Sequence, residues 1–304
     1  MPLFEKVKSL GIKTWTTHYG RNSIQGMSPA SFPAVKLILF SGYRSIPELL
    51  NEYGVLDSSV IFSHACGATQ TDAALFHKHN CNVSTTPSTE LQMALGEPMA
   101  FRADIDVQSQ CSLGVDCSSN NSASIVSEMR LLLQSARGVH NAKFSQKGLI
   151  PKKVYKTVEE AFNLGTIHGA RAVGMEDKIG SLAVGKLADI TVFDALSSSM
   201  VCASQHDPIA AIVLHSSPAD IEMVIADGVI RKRYWMLESV DTKPGKEFWD
   251  REERDTVAWK DVAKELVERR KGIQQHVEKI DMEDALGGVI ESFYIDKTKI
   301  VDTI

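Results

Sequence analysis

Short runs rich in β-branched and aromatic residues alternate with longer segments of helical periodicity through the first 175 residues of this chain. That alternation favours parallel β-α units over helical bundles or all-β sandwiches. Strands are expected at 12–17, Val60–His64, Asn82–Thr85 and 111–115, and helices at 32–52, Gln70–His79, 98–104, 123–134 and 157–172. Asp72 stands near the start of the second helix and Gly138 just past the fourth, where helix-end chemistry places an acid and a glycine. From Gly180 to Arg233 the texture changes to short strands and turns: G-S-L-A-V-G-K-L-A-D-I-T-V-F-D, I-A-A-I-V-L-H and I-E-M-V-I-A-D-G-V-I-R. After Tyr234 it becomes charged and helical. The expected organisation is an α/β region over 1–175, a small β domain over 176–233 and a charged helical tail over 234–304. The tail is expected to pack through Trp249, Val257, Trp259, Val262, Leu266 and Val267, or to cover an open sheet edge.

Composition narrows the partners. With 304 residues, 43% hydrophobic, the chain can bury a large core. A net charge of -5 offers no basic face for nucleic acid beyond the small Arg231, Lys232, Arg233 cluster. No apolar run reaches the roughly 20 residues that cross a bilayer, and residues 1–11 lack the apolar core of a signal peptide. The five cysteines show no C-x-x-C spacing, which fits a reducing, cytoplasmic setting rather than a disulfide framework.

The apolar runs end in chemistry. I-K-T-W-T-T-H ends at His18, V-I-F-S-H at His64 and C-S-L-G-V-D at Asp116, each at a strand's carboxyl end, the edge where parallel sheets and barrels assemble their sites. The intervals leave room for one or two β-α units of roughly 30 residues each. Imidazole nitrogen and carboxylate oxygen are ordinary ligands of zinc and similar divalent ions, and a carboxylate beside such an ion can also move a proton.

The segments H-A-C-G-A-T-Q-T-D-A-A-L-F-H-K-H-N-C-N-V-S-T-T-P-S-T-E-L-Q-M-A-L-G and L-G-V-D-C-S-S-N-N, with the later I-G-S-L-A-V-G-K-L-A-D-I-T-V-F-D, resemble the amidohydrolase superfamily in its cytosine deaminase and chlorohydrolase-like branch. The resemblance covers roughly His18 to Arg233. It implies a (β/α)8 barrel with a β-sandwich built from both chain termini, of which this chain would carry an incomplete TIM-type barrel, a small β-sandwich-like domain and the tail. His18 would match the metal-binding histidine after the fifth strand, His64 the histidine after the sixth and Asp116 the aspartate after the eighth. The family's H-x-H metal pair belongs to a first strand that has no counterpart before His18. His77 and His79 have that spacing, but they fall at a helix end. Arg21 stands where many family deaminases carry a glutamate.

Three classes of function follow. The first is an enzyme with hydrolytic or lyase-type chemistry on a small cyclic or amide-like substrate. In it His64 and Asp116 are catalytic acid and base, His18 and Glu90 contact substrate, and either no metal is used or one divalent ion, zinc above all, sits on His18 and Asp116. The second is a split chain completed by another half. The third is a non-catalytic relative that binds a ligand or partner. A half-barrel with bare parallel edges is also expected to form homo-oligomers. Around the site, Asn120 and Asn121 are expected to cap the helix near Ala123, Cys117 to be a buried bystander, and His168 and His215 to be structural, the latter in a β run.

Overall fold

The computed structural model describes residues 9–19, 45–241, 256–292, 297 and 300–301. Arg21, Trp249 and the 32–44 part of the first expected helix lie outside them. The chain divides into two compact units, one of residues 1–186 with 195–218 and one of residues 187–194 with 219–304.

In the first unit, strands β1 (Trp15–Tyr19), β2 (Val60–His64), β3 (Asn82–Thr85) and β4 (Cys111–Leu113) form one parallel sheet in sequence order. Between them run helices α1 (Ile46–Glu52), α2 (Gln70–His79) and α3 (Pro87–Gln92). This is an α/β fold holding part of a TIM-type barrel. Val60, Ile61, Phe62 and His64 of β2 are all buried, as a central parallel strand covered on both faces requires. Register carries His18 opposite Ser63, Ser63 opposite Ser84 and Ser84 opposite Ser112, so the four carboxyl ends finish side by side.

Helix starts are written locally. Ser45 caps α1 by accepting from the Glu48 amide, and Thr69 with Asp72 forms a capping box on α2. The buried Asp72 carboxylate does more than cap. It also accepts from Tyr19 Oη at 3.0 Å and from Ser45 Oγ, joining the end of β1 and the start of α1 to α2.

Several boundaries differ from the sequence expectation. The first strand sits three residues later, at β1, which leaves His18 inside it, and 98–104 shrinks to a single 3-10 turn, Met99–Phe101. The fourth helix, α4 (Ile125–Ser145), runs through Gly138. Gly138 costs it about 1 kcal/mol of propensity. Tertiary contacts hold this stretch: the Arg137 guanidinium donates to the Tyr155 and Lys156 carbonyls at 3.0 and 2.9 Å, and His140 stacks on Tyr155 at 4.3 Å. The expected β run I-A-A-I-V-L-H is helical instead. Asp207 caps it by accepting from the Ala210 amide, Pro208 opens it, and a π-helical turn at Ala211–His215 buries Ala211 and Val213. Helices α5 (Val158–Leu164) and α6 (Ile167–Ala172) follow α4 in the chain, α5 opening on a capping box of Thr157 and Glu160.

In the second unit, β5 (Ile190–Phe193), β6 (Ile221–Ala226), β7 (Val229–Arg233) and β8 (Met236–Leu237) form an antiparallel sheet in that order. Asp227 and Gly228, at φ 49° and 75°, supply the two left-handed residues that a tight β6–β7 hairpin needs. Two helices, Trp259–Val277 and Met282–Ser292, complete it, and neither has a buried residue. Trp259, Leu266 and Val267, expected to pack inward, are more than half exposed at 53%, 52% and 54%. The polar majority of the first of these helices explains why it needs no such burial. No helix among the described residues is long and apolar enough to cross a membrane.

Candidate active site

His18 stands on β1, His64 ends β2, and Asp116 follows β4. One ligand atom from each lies within 4.8 Å of the others, the only such group of three or more His, Cys, Asp or Glu among the described residues. The two imidazole rings are 5.5 Å apart between centroids and inclined by 52°. His64 is buried, whereas His18 and Asp116 are exposed, so the cluster opens to solvent on one side.

Backbone geometry aims these side chains. His64 and Asp116 both adopt the left-handed conformation, at φ 68° and 67°. For a non-glycine residue that costs roughly 1 kcal/mol or more, and such strain gathers where a fold must point a group against its local preference. Gly114 makes the approach to Asp116 possible: a Cβ there would meet Ser84 Oγ at 2.7 Å and Thr86 Cγ2 at 3.3 Å. Asn121 pins the loop beyond. Its amide donates to the Val115 carbonyl at 3.1 Å and to Thr89 Oγ1 at 2.6 Å. It does not cap α4, whose cap is Ser124, accepting from the Ser127 amide. Asn120 instead contacts Cys117, which is exposed and not buried as expected.

Behind His64 lies a buried polar layer. Its Nδ1 is 2.8 Å from Thr86 Oγ1 and 3.5 Å from Glu90 Oε1. Glu90 Oε1 accepts from the Thr86 amide at 2.8 Å and from its hydroxyl at 3.4 Å, while Oε2 has no partner among the described residues. Glu90 is fully buried, so its surroundings are not those of a solvent-facing loop acid. Burial pushes its carboxyl above the ordinary glutamate value, against the opposing pull of the His64 and Thr86 hydrogen bonds. A second buried acid, Glu128 on α4, accepts from the Ser88 amide at 2.9 Å and from the Ser88 hydroxyl, anchoring the start of α3. The sequence did hold a signal for it: an acid four residues before Leu132, inside an otherwise apolar helix stripe.

The other candidates serve the scaffold. His77 reaches the Asp106 carbonyl at 2.7 Å and His79 reaches Asn51 Oδ1 of α1 at 2.7 Å, so the H-K-H pair is spent on scaffold contacts. His168 of α6 binds the Cys111 carbonyl at 3.0 Å, and His215 is exposed at the end of the π turn. An apolar cleft of about 200 Å³ runs between α3 and α4, lined by Leu91, Leu132, Ala136 and Val139 among others, and none of His18, His64 or Asp116 borders it.

Two imidazoles and one carboxylate fit the donor set of catalytic zinc sites, which keep three protein ligands and leave a position open. Both the sequence and the fold match known proteins over most of the chain. An S-triazine hydrolase of Gordonia rubripertincta is 29% identical over 64% of this chain and 39% of its own length. A 5'-deoxyadenosine deaminase of Methanobrevibacter smithii is 28% identical over 64% of this chain and 42% of its own. The fold superposes on an adenosine deaminase of Xanthomonas campestris crystallised with zinc, with a TM-score of 0.63 at 21% identity, covering 79% of this chain and 51% of that one. The chain thus spans about two fifths of the length of these curated relatives. The model of the amidohydrolase family matches residues 37–231, more than half of the chain and including both His64 and Asp116, and on that match the chain belongs to the amidohydrolase family.

Proposed function

We propose that the chain carries the carboxyl-end half of a hydrolase site for small nitrogen heterocycles, with His18, His64 and Asp116 as its divalent-metal ligands. The observation that carries this reading is the convergence of the three donor atoms within 4.8 Å at the carboxyl edge of one parallel sheet. The substrate class rests on the relatives, a triazine hydrolase and a deoxyadenosine deaminase, whose names share a nitrogen-rich ring. A divalent ion held there would supply Lewis-acid activation of water and substrate.

The chain's own residues supply the proton handling. Asp116, exposed beside the two rings, accepts a proton from the attacking water and returns it to the departing nitrogen. The water oxygen bonds to the ring carbon, the carbon–nitrogen bond breaks, and ammonia or an amine leaves with that proton. His18, the exposed ring, lies where it can orient substrate, while the buried His64 is held from behind.

Metal content and turnover measured on one sample test the proposal, with triazine and adenosine-type substrates, before and after chelation. The expected result is stoichiometric divalent metal, turnover lost on chelation and restored by zinc, and a loss of about 100- to 10,000-fold in Asp116→Asn. Turnover indifferent to chelation, yet lost in His64→Ala and Asp116→Asn, would establish metal-free acid–base chemistry instead. Binding without turnover would leave a ligand-binding relative.

The short span against the relatives favours a second reading, in which a further copy or segment completes the barrel. Light scattering separates the two. An active, monodisperse monomer of 33.4 kDa excludes completion in trans.

A further inference from the structure

The layer behind His64 has a direction. Thr86 offers one hydroxyl proton and its backbone N–H, and both are aimed at the same oxygen, Glu90 Oε1, at 3.4 and 2.8 Å. A hydroxyl that spends its proton on Glu90 can meet His64 Nδ1, 2.8 Å away, only as an acceptor. The alternative orientation, in which Thr86 donates to a bare Nδ1, would set that nitrogen's lone pair against Glu90 Oε1 at 3.5 Å inside a buried layer. A ring proton on Nδ1 removes that conflict, because it has two acceptors in front of it. The Thr86 amide, donating to Oε1 at 2.8 Å, holds that oxygen as an acceptor, so a proton on Glu90 belongs on Oε2 and leaves this preference unchanged.

We propose that Thr86 and Glu90 are positioning residues that fix His64 as the Nδ1–H tautomer and so reserve its Nε2 lone pair for the site it shares with His18 and Asp116. The proposal deepens the reading of that cluster as a metal centre and rests on it only for the use to which Nε2 is put. A histidine in solution favours the proton on Nε2, the tautomer that would deny its lone pair to a metal or a substrate proton. The buried hydrogen bonds reverse that preference, as outer-layer partners of metal-binding histidines do in general. Their order along the chain is compact: Thr86 is the residue before α3 and Glu90 lies in its first turn, so one short helix presents both groups. Glu128, which holds the Ser88 end of that helix, keeps the presentation rigid.

The test reads the tautomer directly on the full, metal-free chain labelled with ¹⁵N-histidine, using two-bond proton–nitrogen correlations above the histidine titration range. The His64 signals are assigned by their loss in His64→Gln. The expected result is a pyrrole-type Nδ1 and a pyridine-type Nε2 for His64 in the wild type. Thr86→Val and Glu90→Leu, each of which removes an acceptor facing Nδ1, should each move His64 toward the Nε2–H form, leave the His18 signals in place, and weaken zinc binding by about 10- to 100-fold. Thr86→Ser should restore the wild-type pattern. A wild-type His64 carrying its proton on Nε2 overturns the proposal, as does an Nδ1–H form that persists unchanged in both variants. The wild-type spectrum decides even where a variant fails to fold. A chain that shows the Nδ1–H form but binds no zinc would remove the metal reading and leave the tautomer assignment standing.

Discussion

Gly114 lies so close to Ser84 that a Cβ on it would come within 2.7 Å of the serine oxygen. Its amide also donates to the Thr85 carbonyl at 2.9 Å, so the backbone cannot back away without breaking a strand contact. Gly114→Ala should therefore cost about 1–3 kcal/mol, read as a lowered urea midpoint, and should disturb Asp116 two residues on. Gly165 provides the control. A Cβ there would meet the Met129 side chain, its Cγ at 3.1 Å and Sδ at 3.3 Å as well as its terminal methyl, but that chain is unbranched and flexible, so Gly165→Ala should cost less. Equal losses at both positions would show that the closeness of Ser84 is not what requires a glycine at 114.

The Glu128 carboxylate, fully buried, serves the Ser88 amide and hydroxyl. Removing it strands the half-buried Ser88 N–H and leaves a void. Glu128→Ala should lower stability by about 2–3 kcal/mol in chemical denaturation, with Glu128→Gln less severe because an amide oxygen can still accept. The site should loosen along with the fold, since α3 carries Glu90.

Thiol chemistry should divide the cysteines sharply. Burial pushes the Cys66 and Cys111 thiols far above their ordinary value, and Cys81 up to about 12. Cys117 and Cys202 are exposed. A thiol reagent at pH 8 should modify these last two quickly and the other three only on unfolding, read by mass spectrometry of peptides. Rapid labelling of Cys111 would mean that β4 opens readily.

The Arg102 guanidinium, donating to Asp104 at 2.9 Å, holds that carboxyl below the ordinary aspartate value of 3.8. A depressed folded value means stability that is present above 3.8 and lost as pH falls through the lower folded one. Asp104→Asn should remove that part of the pH dependence and leave the mutant–wild-type difference smaller near pH 2 than at pH 7. The side chain is 61% exposed, so the whole effect should not exceed about 1 kcal/mol.

The strand ends were legible because a carboxylate or imidazole closing an apolar run is a one-dimensional pattern. His18, His64 and Asp116 needed only strand order to meet, and parallel topology supplied it. Glu90 was visible as a polar residue but not as a buried one, since its burial depends on how α3 lies behind His64. Asp72 was legible as a helix-start acid, but not as the partner of Tyr19, 53 residues away. The run through Gly138 and the helical I-A-A-I-V-L-H were misread for a related reason: Arg137 binds 155–156 and Arg130 binds the Val213 carbonyl, contacts that local propensity cannot show.

The meeting of Tyr19, Ser45 and Thr69 on Asp72 also orders events in time. Thr69 and Asp72 find each other within one helical turn, but Ser45 must close a span of 27 residues and Tyr19 one of 53. Each longer closure costs entropy before any contact repays it. During synthesis β1 emerges before β2, its pairing neighbour, and the carboxylate that takes the Tyr19 hydroxyl comes only with α2. His18, next to Tyr19 and the first of the three site residues to be translated, thus waits for both β2 and α2 before its end of the strand is held.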